Sequence, residues 1–474
     1  MKRKSIFLAA LLLLLSNPIY ASGSNVVYDP SKSSVQSTIP NVTKEMFDPT
    51  FWCSKLDDAN SIIMEQSDIE KYNAQMREQL PNVLFDLENQ PLSWSKEDLS
   101  AMLEPSFPDY TVYLDGNEVS STYFDNLKAQ INLEGIKDTN PVKYGFTVRR
   151  THMRTYPTHD FLVDSPDDNL YDNIQETAIS AAQPLLILHT SANNRWYYVR
   201  MYNYTGWVSA NDVAITMNRS IWLDYMNSQN FLVVTGSKIR LGYNPYSPDL
   251  SELMFEMGTK LPLVTTNVPT VVDNQNVTGC YVIKLPVRDA SGKLDFKQAL
   301  VPISADVSEG YLPYTRENII KQAFKVQGER YGWGGLFNGM DCSSFILNVY
   351  GTFGIKLPRN TSQQVKIEGN KVEFSNAPTI EKRESLLSSL KPGAAIYKPG
   401  HAVIYLGKHN GKHYVIHDAA EYGDINRPNA DGTLNAIPLH TVSVSTIDWN
   451  LLSGKKFIET VTFGNQYEVA PSGN

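Results

Sequence analysis

Residues 331–344 read YGWGGLFNGMDCSS, and this stretch decides the fold of the C-terminal third of the chain. The glycine-rich loop ends at Asp341 and apolar side chains then recur at helical spacing, so a helix is predicted to begin at Cys342 and to stop at Gly354. The first turn of a helix favours a thiolate, the reactive form of cysteine, because the helix dipole and the free backbone N–H groups are positive there. A nucleophile fits this position, and so does a buried, inert cysteine beside an ordinary N-cap.

A nucleophilic cysteine needs a base, and the base usually needs a group that orients it. Four of the eight histidines cluster around two predicted strands of the C-terminal domain. Residues 409–411 (HNG) predict a three-residue hairpin loop, which puts residue 403 opposite His417. His401 and His417 then lie diagonally on one face of the hairpin, close enough for one ring to orient the other, and His413 is expected on the opposite face.

Two alternatives to a catalytic pair stay open at this point. Four histidines also suggest a metal site, but no HExxH helix occurs and the spacing indicates a hairpin rather than a set of ligands, so neither a metal nor a cofactor is expected. His401 could instead be a core histidine and His417 a solvent-facing one, as isolated histidines more often are.

These elements together resemble the NlpC/p60 cysteine peptidases, a papain-like, circularly permuted family that acts on peptidoglycan peptides. The resemblance implies an α+β catalytic domain over residues 315–474. Four motifs carry it, in order: Y-x-W-G-G then D-C-S at 331–343, LPRN at 357–360, L-x-P-G at 390–393 and H-x-x-I-Y-L-G at 401–407. Ala394 stands where the family often has Asp, which puts a loop contact in doubt rather than the activity.

For catalysis, the resemblance implies a thiol mechanism with a Cys-His-His set. Cys342 would attack the scissile carbonyl, His401 would be the base and His417 would orient His401. Tyr331 matches the family tyrosine that lies beside the nucleophile and can donate to the oxyanion, although a core tyrosine flanking the helix would also fit.

For substrate binding, the resemblance implies contacts from Asp341 and Ser343 to the free amino end of a peptide, and from Trp333 in the preceding loop. A carboxylate suits an ammonium group, although N-capping alone would explain Asp341. The implied reaction is hydrolysis of the amide between the side-chain carboxyl of D-glutamate and a diamino acid. The implied substrates are peptidoglycan stem peptides with a free N-terminal L-alanine.

Upstream of the catalytic domain, the sequence predicts three further regions. Residues 22–125 contain a polar leader and short helices, one with a capping box at Ser67 and one after Ser95, and form either a small helical domain or a clip lying over the other domains. Residues 126–220 carry short strands with alternating aromatics and a closing Gly-Trp-Val, which resemble a bacterial SH3-like barrel. Residues 221–314 end a second strand set with Gly-Tyr-Leu, which predicts a second, diverged barrel.

The predicted fold class is therefore multidomain: an N-terminal helical segment, two small SH3-like β-barrels and a C-terminal α+β, papain-like catalytic domain. In the family subset with this arrangement, γ-D-glutamyl-diamino acid endopeptidases, the first barrel narrows the cleft and favours peptides with a free N-terminal L-alanine. Here the loop between Tyr156 and Tyr171 of that barrel is long and acidic. Such a loop is typical of solvated surface, but it would also attract the ammonium group of such a peptide.

Composition and the N-terminus indicate where the protein works. A net charge of −8 argues against nucleic-acid binding. Residues 1–21 combine a basic start, a short apolar run and a small-residue cleavage site, which predicts a signal peptide. An uncleaved anchor would need an apolar run of ~20 residues. We therefore expect a monomer that is exported to the periplasm or secreted, with no transmembrane segment in the mature protein.

The three cysteines, Cys53, Cys280 and Cys342, are too few for a disulfide framework and odd in number. Cys53 and Cys280 are expected to be structural, either paired or buried, with Cys342 as the reactive thiol. Two other functions share these features. One is a wall-binding SH3 protein with a weak catalytic domain, and the other is an acyltransferase whose acceptor is not water.

Overall fold

The computed structural model describes residues 28–469 of the chain. The predicted signal peptide, residues 1–21, lies outside the described residues and stays a prediction. None of the helices in the described part is both long and apolar enough to cross a membrane.

The N-terminal region holds short helices and strands ahead of the first barrel. The α-helices are Pro49–Cys53, Gln66–Gln79, Lys96–Leu103 and Ser121–Ile131, and the strands are Ser93–Ser95, Tyr113–Leu114, Asn117–Glu118 and Thr139–Pro141. Ser95 caps the third helix by accepting the N–H of Asp98. The capping box predicted at Ser67 is wrong, because the second helix already begins at Gln66 and its cap residue, Glu65, makes no side-chain bond.

Barrel 1, residues 143–216, is a seven-stranded antiparallel sheet. Its strands are Lys143–Thr147, Thr151–Arg154, Gln175–Ile179, Pro184–Thr190, Trp196–Met201, Tyr204–Ser209 and Val213–Thr216. Both Trp207 and Val208 of the predicted closing strand are buried: Val208 lies in a core of barrel 1 side chains, and Trp207 lies in a larger cluster shared with the N-terminal region and the second strand set. The acidic loop contains a further strand, Leu162–Val163, which pairs with Tyr113–Leu114 of the N-terminal region.

The second strand set, residues 231–309, follows a helix at Arg219–Met226 and divides into four small antiparallel sheets. Its strands are Phe231–Val234, Lys238–Arg240, Met254–Glu256, Lys260–Pro262, Val271–Val272, Gln275–Asn276, Cys280–Arg288, Leu294–Pro302 and Val307–Glu309. The multidomain arrangement with SH3-like β domains is as predicted, while the bounds 221–314 for a second barrel stay a prediction.

The catalytic domain is built on a six-stranded antiparallel sheet. Its strands are Asn370–Glu373, Ala395–Lys398, His401–His409, Lys412–Pro428, Leu434–Thr446 and Phe463–Gln466, and its helices are Arg316–Phe324, Cys342–Gly351, Thr361–Gln364, Ile380–Leu387 and Phe457–Thr460. The helix Cys342–Gly351, called the nucleophile helix below, buries Phe345 and Val349 in one cluster with Ala402 and Ile404 of the sheet. This packing places the first turn of the helix at the start of the His401 strand.

The hairpin that carries His401 and His417 has the predicted register near these residues, but its loop is shorter than predicted and one strand contains a bulge. Lys412 pairs with His409, so the loop is the two residues Asn410 and Gly411, both with positive φ (47° and 78°), and the predicted three-residue loop is wrong. A bulge between Tyr405 and Gly407 then takes up one extra residue. Beyond the bulge the pairing is the one that the sequence predicted.

The first two helices of the chain pack on the catalytic domain as a clip. Trp52 and Met76 are buried in one cluster with apolar side chains of the nucleophile helix and the sheet. The side-chain amide of Asn73 donates to the carbonyl of Gly354 (2.8 Å) and accepts from the N–H of Lys356 (2.9 Å). The clip therefore fixes the turn that ends the nucleophile helix, which is the second of the two arrangements considered for this region.

Candidate active site

The nucleophile helix begins at Cys342 because Asp341 caps it with a full capping box. The carboxylate of Asp341 accepts the N–H of Ser344 (2.9 Å), and the hydroxyl of Ser344 accepts the N–H of Asp341 (2.9 Å). Two orphan donors of the helix end are thereby satisfied. The side chain of Cys342 is 8% exposed, so it is buried except for a small accessible area.

The glycine loop, residues 332–340, turns through left-handed backbone conformations, and barrel 1 packs directly on it. Gly334 and Gly335 have φ of +55° and +84°. A Cβ on Gly335 would lie 2.4 Å from the Cβ of Ala178 in barrel 1. The side-chain amide of Gln175, also in barrel 1, donates to the carbonyl of Gly334 (2.7 Å). Barrel 1 thus helps to shape the loop between Tyr331 and Cys342.

The structure brings His401 and His417 into hydrogen-bond contact. Nε2 of His401 lies 3.0 Å from Nδ1 of His417, and Nε2 of His417 lies 2.9 Å from Oγ of Ser445. His401 therefore points Nε2 at His417, and its other ring nitrogen, Nδ1, is turned away from His417. The backbone N–H of Ala402, the next residue, points at the thiol of Cys342. The candidate nucleophile and the two histidines therefore lie at one end of the sheet.

An aromatic stack encloses the two histidines. The ring of His417 stacks on Trp449 (centroids 4.5 Å apart, planes at 30°), and Trp449 stacks on Phe457 (4.0 Å, 26°). The ring of His401 meets Trp449 edge-on at 6.4 Å. Aromatic walls exclude water, and a hydrogen bond in a drier site is electrostatically stronger.

Burial shifts the pKa values of Cys342, His401 and His417. Burial, and after it the carboxylate of Asp341, raises the pKa of Cys342, while the N–H of Ala402 opposes this in part. Burial first and the neighbouring His417 second hold the pKa of His401 well below its usual range. Burial lowers the pKa of His417 to about 3. Each of these pKa shifts favours the uncharged form, so burial opposes the stabilisation of a thiolate that was expected from the helix N-terminus.

Tyr331 lies at the start of the glycine loop, with its N–H bonded to the carbonyl of His440 (2.9 Å). Burial, and then the charge of Asp341, raises its pKa far above the ordinary value for tyrosine, so the hydroxyl keeps its proton and can donate. Tyr171 of barrel 1 lies 6.4 Å from Tyr331 and 5.9 Å from Trp333, measured between ring centroids. Trp333 itself is 41% exposed, so these rings form the mouth of the site.

Asp341 and Ser343 are already engaged inside the protein. Arg359 binds the carboxylate of Asp341 through two nitrogens (2.6 and 3.1 Å) and donates to the hydroxyl of Ser343 (2.9 Å). Its Nε donates to Thr177 of barrel 1 (2.7 Å). Arg359 stands in the LPRN motif, for which the sequence reasoning gave no residue roles. The predicted contacts of Asp341 and Ser343 to a substrate ammonium group stay predictions.

The acidic residues near the mouth are Asp168 and Glu421. Burial raises the pKa of Tyr171, and the charges of Glu421 and then Asp168 add to this effect. Glu421 is exposed and Asp168 is half-buried, with one carboxylate oxygen closing its own turn. Two carboxylates on different domains thus flank the ring that covers the opening.

The other histidines of the cluster do not join the catalytic pair. His413 and His417 lie four residues apart on one strand and so share a face, because side chains alternate. The prediction that His413 lies on the opposite face is therefore wrong. Nδ1 of His413 bonds to the hydroxyl of Tyr405 (2.7 Å). Within residues 28–469, no group of three or more His, Cys, Asp or Glu side chains is arranged to hold a metal ion.

All three cysteines are unpaired, with Cys53 and Cys280 half-buried and Cys342 buried. Ser445, Trp449 and Phe457 were missed by the sequence reasoning, because they lie 28 or more residues beyond His417 and no local motif marks them.

Two regions of the chain match the models of known families. The family model described as "NlpC/P60 family" matches residues 328–441, and the model for an SH3 domain of the SH3b1 type matches residues 163–209. No curated protein matches the chain.

Solved structures of two NlpC/P60 proteins show similarity to this chain, and the first has a similar fold. An NlpC/P60 endopeptidase from Photobacterium damselae subsp. piscicida is similar over 93% of this chain and 99% of its own, with a TM-score of 0.70 and 17% identity. An NlpC/P60 family protein from Bacillus cereus ATCC 10987 is similar over 69% of this chain and 100% of its own, with a TM-score of 0.43 and 19% identity. The chain thus carries a C-terminal domain of the NlpC/P60 family behind an SH3 domain of the SH3b1 type.

Proposed function

We propose that the protein is an exported cysteine endopeptidase that hydrolyses the γ-D-glutamyl–diamino acid bond of peptidoglycan stem peptides. The observation that carries this proposal is the bonded series from His401 through His417 to Ser445, beside a cysteine at a helix N-terminus. A Cys-His-His set on an NlpC/P60 domain is suited to acyl transfer from an amide to a thiol.

The base must carry its free lone pair on Nδ1 of His401. This requires that Nε2–H of His401 donates to Nδ1 of His417, and that Nε2–H of His417 donates to Ser445. The reversed set of bonds would put a proton on Nδ1 of His401 and leave it unable to accept another. Ser445 therefore acts as the acceptor that fixes the tautomer of both rings.

The reaction follows from these protonation states. The sulfur of Cys342 bonds to the amide carbon while its proton passes to Nδ1 of His401, and Tyr331 donates to the oxyanion that forms. The C–N bond then breaks as His401 returns the proton to the leaving amine. Water, deprotonated by His401, attacks the resulting thioester and releases the free acid and the thiol.

Charge at the mouth favours a peptide with a free amino terminus. Arg359 neutralises Asp341, which leaves Asp168 and Glu421 as the carboxylates available to attract an ammonium group. Tyr171 narrows the same opening from barrel 1. These features support a role for barrel 1 in the choice of substrate, beyond anchoring.

The test is a digestion of defined muropeptides with the mature protein, with products identified by mass spectrometry. The proposal expects a free γ-carboxyl on D-glutamate and a diamino acid product, with free peptides preferred over sugar-linked ones. Adding an amine to the reaction distinguishes hydrolysis of the thioester from acyl transfer, because acyl transfer would form a new amide with that amine. Cleavage at another bond would overturn the assignment of the substrate.

A further inference from the structure

Two tyrosines of the second strand set stand unusually far out of the protein. The side chain of Tyr243 is 76% exposed and that of Tyr246 is 60% exposed. An aromatic ring offers a large apolar surface, and exposed rings that group together mark sites where a ligand covers them. Neither residue belongs to the catalytic domain.

The two rings border a cavity of about 230 Å³. Its floor is apolar and is formed by the buried side chains of Leu241, Leu250 and Val272. Its rim is polar and carries the side-chain amides of Asn244, Asn274 and Gln275. An apolar floor with a few polar groups on the rim is the usual composition of a small-molecule site.

Hydrogen bonds hold the rim in place before any ligand arrives. Asn244 donates to the carboxylate of Asp273 (2.8 Å) and accepts the N–H of Tyr246 (2.9 Å). Asn274 donates to the hydroxyl of Tyr246 (3.1 Å). Asp273 and Asn274 have positive φ (45° and 62°), so they form a tight turn that fixes the two amides relative to the ring. A rim that is already ordered loses little entropy on binding.

The chemistry of the lining selects one class of ligand. All lining residues lie in the described part of the chain, and they include no Lys or Arg, so an anion finds no counter-charge. The lining holds one carboxylate, Asp273, which accepts a hydrogen bond from Asn244 and by itself supplies too few oxygens for a metal ion. A wholly apolar ligand would displace water from the exposed amides of Asn274 and Gln275 without replacing its hydrogen bonds. A neutral sugar has C–H faces for the rings and hydroxyl or N-acetyl groups for the amides.

We propose that this pocket, bordered by Tyr243 and Tyr246, binds one unit of a neutral N-acetylated glycan. The inference goes beyond the proposed function, because the catalytic site takes a peptide and this pocket takes the sugar polymer to which stem peptides are attached. The protein would thereby be held on the wall through a site outside its catalytic domain.

The test is isothermal titration calorimetry of the full mature chain, carrying Cys342→Ala, with a β-1,4-linked tetramer of N-acetylglucosamine. Saturable binding is expected, and Tyr243→Ala should weaken it about tenfold or more, as loss of an aromatic anchor commonly does. Tyr110→Ala is the matched control, because that ring is 53% exposed but lies in the N-terminal region. Absence of saturable binding, or an equal loss in the Tyr110 variant, overturns the proposal.

Two further readouts keep the result separate from the peptidase assignment. With Cys342 intact, Tyr243→Ala should cleave soluble stem peptides at the wild-type rate. If the wild type cleaves no peptide but the tetramer still binds at Tyr243, the proposed function fails and the glycan site stands. If the tetramer does not bind and Tyr243→Ala changes the oligomeric state in sedimentation, the rings cover a second copy of the chain and the glycan proposal is wrong.

Discussion

Barrel 1 and the second strand set are both small β domains, yet they present different groups to their surroundings. Barrel 1 directs Gln175 and Thr177 into buried bonds with the glycine loop and with Arg359. The second strand set leaves Tyr243 and Tyr246 exposed around a preformed pocket. Barrel 1 therefore packs against the residues around Cys342, whereas the second strand set presents exposed rings, and variants matched between the two can measure this difference.

The largest expected effect comes from removing the ion pair between Arg359 and Asp341. Arg359→Ala would leave the carboxylate of Asp341 buried without a counter-charge, which costs about 3–5 kcal/mol in comparable pairs. We expect a loss of that order in the free energy of urea unfolding, and loss of peptide cleavage. The matched control is Lys297→Ala in the second strand set, whose partner is Asp249 and whose side chain is 41% exposed.

An exposed pair of this kind contributes about 0–1 kcal/mol, so the Lys297 variant should unfold almost like the wild type. Equal losses in the two variants would mean that the buried pair between Arg359 and Asp341 is no more important for stability than a surface pair.

The next prediction compares two glycine variants, which separates the effect of close packing from the effect of backbone strain. Gly335→Ala places a methyl group 2.4 Å from Ala178 and also strains a residue with φ of +84°, whereas Gly279→Ala in the second strand set has φ of +75° and open space around it. Each variant should lose ~1 kcal/mol or more of stability from strain. Only Gly335→Ala should also lower kcat/KM, because it pushes barrel 1 away from the glycine loop. Equal kinetics in both variants would contradict a role for this contact.

A smaller effect concerns substrate choice. Tyr171→Ala should widen the mouth and lower the preference for free over sugar-linked peptides by roughly three- to tenfold, since one aromatic contact contributes ~1 kcal/mol. The measurement is the ratio of kcat/KM for a free and a sugar-linked stem peptide. Tyr243→Ala serves as the control and should leave that ratio unchanged. An unchanged ratio in Tyr171→Ala would leave barrel 1 as an anchor only.

The sequence predicted the catalytic set because its signals are local or follow from one hairpin. Cys342 stands at a loop-to-helix junction, and the pairing of His401 with His417 follows from strand alternation. The predicted hairpin loop was one residue too long, but a bulge in the His401 strand takes up the extra residue and restores the predicted register. The contact between Thr177 and Arg359 could not be predicted, since it depends on how two domains pack. Ser445 and Trp449 were missed for the same reason, because tertiary folding alone brings them to His417.

The smallest effect is on the pH dependence of the base. Burial, His417 and Lys398 all lower the pKa of His401, so the acid limb of kcat/KM should lie below pH 6.5, since a protonated His401 cannot accept the proton of Cys342. Lys398→Gln removes one positive charge and should move that limb upward, with little change near pH 7.5. A limb that stays in place, or moves to lower pH, would show that another group titrates.

The central claim is that Cys342 is the nucleophile, and one comparison of two proteins tests it most directly. Wild type and Cys342→Ala are incubated with a free stem peptide, and the γ-D-glutamyl product is quantified by mass spectrometry, with circular dichroism to show that both are folded. The wild type should give product, and the variant should lose ~10⁴-fold or more of the activity, as other enzymes do without their catalytic nucleophile. Wild-type turnover by a folded Cys342→Ala protein would contradict it.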